Sequence, residues 1–224
     1  MKLQPIGFST LLAILIAVPS VPQKAEAKVL SSREQMDTLN NGVQIPQPVE
    51  TARQQDMRQL MEAGKQRFNA GDFSGAIAAW EEALTLFRKA GNPTGEAVAL
   101  GCLGTAYQSL GNHRMAVQMF EQSLANPSVL PNREFEGYVS LALGDSYMFL
   151  DDYPKAIVAY RRSLDLAQDL DDPELQGKSL TMIGLAYYNL EEYATGMTYF
   201  QQNLIVAQRT NARPRAGICA EVHW

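Results

Sequence analysis

Residues 104–123 read GTAYQSLGNHRMAVQMFEQS, and residues 144–163 read GDSYMFLDDYPKAIVAYRRS. Both open on glycine and carry tyrosine at the fourth place, alanine at the thirteenth, an aromatic at the seventeenth and serine at the twentieth. Steps of forty in either direction extend the pattern. Glycines stand at Gly64, Gly104, Gly144 and Gly184, followed by Arg67, Tyr107, Tyr147 and Tyr187. A small residue recurs at Ala76, Ala116, Ala156 and Gly196, and an aromatic at Trp80, Phe120, Tyr160 and Phe200. A short residue closes each unit at Ala83, Ser123, Ser163 and Asn203. A fixed period of this length is the signature of a stacked repeat architecture.

Each unit reads as a pair of helices. Apolar spacing such as Leu100, Leu103, Tyr107, Leu110 and Ile157, Tyr160, Leu164 has helical periodicity. First helices are predicted over 51–70, 94–110, 133–150 and 173–190, and second helices over 73–90, 113–125, 153–170 and 193–210. The turns between them carry Gly71-Asp72, Gly111-Asn112, Asp151-Asp152 and Glu191-Glu192, the acidic pairs read as charges favoured at a helix start. Asn92-Pro93 and Asp172-Pro173 place a capping side chain before a proline at the first helical position. Asn126-Pro127 and Pro131 shorten one second helix. Gly and Ala columns let helices approach closely, and the aromatics fill the wedges between them. One hairpin cannot bury both of its faces, so stability comes from stacking.

The flanks differ. Met1-Lys2, the apolar run Leu11–Val18 and the small-x-small motif Ala25-Glu26-Ala27 predict a signal peptide over 1–27, cleaved before Lys28. The run is far shorter than the roughly 20 apolar residues of a bilayer span, so no stable membrane span is expected after cleavage, and the protein is expected in the periplasm or outside the cell. Residues 28–50, with Ser31, Ser32, Asn40, Asn41, Gly42, Pro46 and Pro48, predict a disordered linker. Residues 211–224 align with the start of a fifth first helix, Gly217 matching Gly137 and Gly177, and predict a partial cap or truncated repeat. An incomplete end of this kind predicts self-association or partner binding through the C-terminal edge.

The net charge of −5 is mild and mixed along the chain, without the basic face that nucleic acid requires. Cys102 and Cys219 fall on distant repeats and are read as free thiols. Cys102 and His113 are too far apart along the chain to form a nucleophile–base pair. Cys219 and His223 offer two ligands at helical spacing, too few for a metal site. The glycines lie within helices rather than in a phosphate-binding loop. No catalytic, metal-binding or cofactor-binding residues are assigned, and an enzyme is not expected.

The glycine, tyrosine, alanine, aromatic, alanine pattern resembles the tetratricopeptide repeat over roughly 57–210. Its forty-residue period is similar to the long-helix subclass of kinesin light chains and bacterial regulators. Residues 68–77, FNAGDFSGAI, are similar to the leading repeat of many exported cyanobacterial proteins, some of which continue into a caspase-like domain. The resemblance implies an all-α, right-handed α-solenoid of about four hairpins, whose first helices line a concave groove that holds a peptide or helix. Carried over by register, it puts Lys65, Phe68, Thr105, Gln108, Tyr138, Asp145, Met148, Lys178, Leu185 and Tyr188 on the groove wall. Long-helix repeats often place asparagines two residues before and one after the column glycine. Here those places hold Cys102 and Thr105, Ala142 and Asp145, Met182 and Leu185. The implied ligand is therefore an apolar helix or segment rather than a charged tail. Two other readings stay open at this point: a self-associating structural repeat protein, and the truncated regulatory region of a larger caspase-like protein.

Overall fold

The computed structural model describes residues 52–126 and 132–212, which belong to the unit Ser32–Trp224. The stretches read as signal peptide and linker, and residues 213–224, lie outside the described residues. Eight helices and no strand occur among those described: α1 Ala52–Asn69, α2 Phe73–Ala90, α3 Pro93–Ser109, α4 His113–Ala125, α5 Arg133–Phe149, α6 Tyr153–Asp169, α7 Pro173–Asn189 and α8 Tyr193–Ala212. Each helix packs on the next in chain order, and the first helices α3, α5 and α7 also touch in sequence. The fold is an all-α solenoid of four hairpins.

The helix boundaries follow from one local device used repeatedly. Asp72, Asn92, Asn112, Asn132, Asp152 and Asp172 each cap a helix by accepting a hydrogen bond from the backbone N–H three residues on. Such a cap satisfies a donor that has no partner within the helix and contributes about 1 kcal/mol. Before five of these caps, all but Asn132, the preceding residue closes the earlier helix. Gly71, Gly91 and Gly111 take left-handed backbone there, and so do Asp151 and Asp171. At Asp151-Asp152 the amide of Asp152 then reaches the carbonyl of Tyr147 and that of Asp151 reaches Met148. These two bonds occupy carbonyls orphaned at the helix end. The pair at Asp151-Asp152 therefore splits: Asp152 caps the new helix, while Asp151 ends the old one, and Glu191 takes the same left-handed backbone as Asp151. The reading of both as helix-start charges is corrected accordingly.

The columns of the repeat carry the packing. A Cβ added to Gly64, Gly104, Gly144 or Gly184 would lie 2.2–2.6 Å from the ring of Trp80, Phe120, Tyr160 or Phe200 respectively. Glycine is required because the aromatic of the second helix lies flat on the backbone of the first. The tyrosine column ties repeats together. Tyr107 donates to Glu81 at 3.2 Å, Tyr147 donates to Glu121, and Tyr187 accepts from Arg161 at 2.7 Å, each time reaching the second helix of the preceding repeat. Arg67, which stands in this column in the first repeat, donates instead to the carbonyl of Gly75.

The small column is equally tight. Ala76, Ala116 and Ala156 are fully buried, and a Cβ on Gly196 would lie 2.8 Å from the carbonyl oxygen of Gly184 on the facing first helix. Ala156→Leu is therefore expected to destabilise by about 1–3 kcal/mol through overpacking, read as a lower midpoint in chemical denaturation. An unchanged midpoint would mean that this column does not face a helix backbone.

Candidate functional site

The candidate surface is the face shared by the first helices. Where α3 meets α5, Gln108 Nε2 donates to the carbonyl of Ala142 at 3.2 Å and to Ser146 Oγ at 3.3 Å. This side chain fixes the register of the two helices. A phenyl ring, Phe135, lies against Gly101 just below. Between α5 and α7, Leu175 lies over Gly137.

The ten residues carried over by register fall into three settings. Phe68 and Thr105 are buried in packing: Phe68 meets the rings of Phe73 and Trp80, and Thr105 Oγ1 donates to the carbonyl of Gly101. Tyr138 and Met148 on α5 are also buried, and the Tyr138 hydroxyl donates to Asp172 at 3.4 Å. Lys65, Gln108, Asp145, Lys178 and Leu185 are half-buried, and Tyr188 is exposed with its ring edge-on to Tyr193. The ammonium of Lys178 pairs with Glu174 at 2.8 Å, one turn earlier on α7.

Asp145 is the one acidic residue in the interior of α5, among Leu141, Ala142, Leu143 and Met148. Its Oδ1 accepts from Tyr160 Oη at 2.8 Å. Burial raises its pKa to about 7; the hydrogen bond from Tyr160 and the charge of Lys178 oppose that rise. The pairing was not read from the sequence, in which Tyr160 stands as a core aromatic. Its signal is nonetheless present: a phenol in a column otherwise filled by Trp or Phe needs a hydrogen-bond partner when buried. Trp80 meets the same need by donating from Nε1 to the carbonyl of Met61 at 3.1 Å.

Cys102 is a buried free thiol, pushed up to about 12 by burial despite the nearby charge of Lys65. A thiol so far from ionisation is not a nucleophile. His113 stacks face to face on Phe149 at 4.2 Å. Among the described residues no group of three or more His, Cys, Asp or Glu is placed to hold a metal ion. No helix among them is long and apolar enough to cross a membrane. The Cys219–His223 pair lies outside the described residues.

Stacked helical hairpins whose glycine column seats an aromatic, with capped turns every twenty residues, define a helical repeat solenoid. Residues 57–127 and 140–174 each match a tetratricopeptide repeat family model. The chain is a tetratricopeptide repeat protein, and as such a protein–protein interaction module; the fold typically serves as a non-catalytic scaffold. Among solved structures it is similar to the apo form of RapI, at 14% identity and TM-score 0.66 over 75% of this chain. The chain spans 61% of the length of that structure. It is also similar to BtubC from P. vanneervenii, at 16% identity and TM-score 0.67, covering 80% of this chain and 72% of the other. A search of curated proteins finds no match.

Proposed function

We propose that the protein is an exported interaction module that holds an apolar helix or segment of a partner protein against the shared face of its first helices. The observation that carries this reading is the mixed character of that face on α5 and α7. Leu185 and Tyr188 offer partly open apolar surface, while Asp145 and Lys178 supply a few fixed polar groups beside it. An apolar wall with few, well-held polar groups is the composition of a site that binds by burial and orients by hydrogen bonding. Export is supported by the Lys2, Leu11–Val18 and Ala25-Glu26-Ala27 pattern.

Two measurements test the two parts separately. A photo-crosslinking amino acid at position 185 or 188 of the full chain, expressed in its own host, is expected to trap a discrete protein partner. The same group at position 158, where Val158 is exposed on a second helix, is expected to trap none. Adducts from position 158 alone would move the binding surface to the outer helices. N-terminal sequencing of protein from the host is expected to begin at Lys28. A chain retaining Met1 in the cytosol would overturn export and leave the binding reading untouched.

A further inference from the structure

The two ends of the described solenoid differ in a way the repeat register makes measurable. Each of α2, α4 and α6 packs on two first helices, its own and the next, whereas α8 packs on α7 alone among the described residues. The column that faces the next repeat is known from the tyrosine contacts, because Glu81, Glu121 and Arg161 all receive the following repeat's tyrosine. Gln201 occupies that column on α8, flanked along the same stripe by Met197 and Leu204. Their counterparts on α6, Ile157 and Leu164, are each 7% exposed; Met197 and Leu204 are 57% and 56% exposed. Ile205 and Tyr193 extend the open apolar strip.

The opposite end is closed by composition. Gln55, Gln59 and Gln66 on α1 are exposed. The same columns hold buried Gly95, Ala99 and Ala106 on α3, and buried Leu175, Ser179 and Ala186 on α7. A polar outer face is what terminates a solenoid. Head-to-tail stacking would press the apolar strip of α8 against these amides, so an open polymer is disfavoured.

We propose that the apolar edge on α8 is a homodimer interface, in which α8 packs antiparallel on α8 of a second copy about a two-fold axis near Gln201. Under that axis Met197 lies opposite Ile205 and Leu204 of the other copy. Charge fits the same arrangement. Residues 193–212 contain no Asp or Glu, Glu191 and Glu192 precede the helix, and Arg209 lies in its last turn. Antiparallel pairing brings Arg209 of each copy to the acidic start of the other, an isologous contact in which each attraction is made twice. The chain's own residues 213–224 are the competing cover. However, α8 stays helical through Asn211. In that column Gly91 and Asp171 take left-handed backbone and turn the chain into the next first helix.

Sedimentation velocity of the full chain across the micromolar range is expected to show a monomer–dimer equilibrium with nothing heavier. Met197→Glu with Leu204→Glu is expected to weaken the dimer at least tenfold while circular dichroism stays unchanged. Arg209→Glu is expected to weaken it several-fold, and Glu192→Arg added to Arg209→Glu to restore it. A chain ending at Ala212 is expected to dimerise like the full one. A wild-type monomer throughout would overturn the proposal. So would a dimer that survives the double glutamate variant, a charge swap that restores nothing, growth beyond the dimer, or dimerisation seen only after residues 213–224 are removed.

Discussion

Trp80→Ala is expected to cost about 3–5 kcal/mol, the usual range for truncating a fully buried large aromatic. Trp80 has no solvent exposure, its ring covers the backbone of Gly64, and Phe68 packs beside it. Its Nε1 also ties α2 to the carbonyl of Met61 on α1. The consequence should be regional, because each repeat of a solenoid contacts only its neighbours. Loss of Trp80 is expected to melt α1 and α2 ahead of the rest, giving a denaturation curve by far-UV circular dichroism with an early partial step. Phe120→Ala, equally buried in the second repeat, is expected to lower the midpoint of the main transition instead. A Trp80→Ala protein that unfolds in one step within about 1 kcal/mol of wild type would contradict the packing described for this column.

What the sequence made legible was whatever the repeat imposes on the chain four times over. The glycine column predicts a close approach, and the rings lying on Gly64, Gly104, Gly144 and Gly184 are that approach. Asp72, Asn92, Asn112, Asp152 and Asp172 all stand in turns legible from the sequence, whereas the cap Asn132 lies behind Pro131 in a stretch legible only as a helix break. The shared face of the first helices was less legible. Register fixes the direction in which a side chain leaves its helix, not how near the neighbouring helix comes. Phe68 and Thr105 thus share columns with groove residues yet are buried in packing. The contact between Asp145 and Tyr160 belongs to one repeat only, so no periodicity could announce it. It follows from the chemistry of a single buried phenol.

Burial of Asp145 gives the stability of the protein a pH-dependent component. The folded pKa of Asp145 is raised to about 7, against 3.8 for an ordinary aspartate. The folded state therefore holds a proton that the unfolded chain has already released in the window between those values. Stability linked to this group is fully present below about pH 4, falls as pH rises, and is lost once pH passes about 7. A shift of this size corresponds to on the order of 2–4 kcal/mol, the lower figure allowing for partial solvent access to the side chain. Asp145→Asn keeps an oxygen to accept from Tyr160 and cannot ionise. It is expected to match wild type near pH 4 and to exceed it by that amount at pH 8, measured by thermal or chemical denaturation at each pH. Tyr160→Phe removes a hydrogen bond that favours the carboxylate, so the folded pKa should rise further and the alkaline penalty should grow. Denaturation midpoints for wild type and Asp145→Asn that run parallel from pH 4 to pH 8 would show that the carboxylate is solvated in the folded protein. The polar group on the shared face would then be a permanent charge, and an apolar partner approaching it would have to supply a cation or pay for its desolvation.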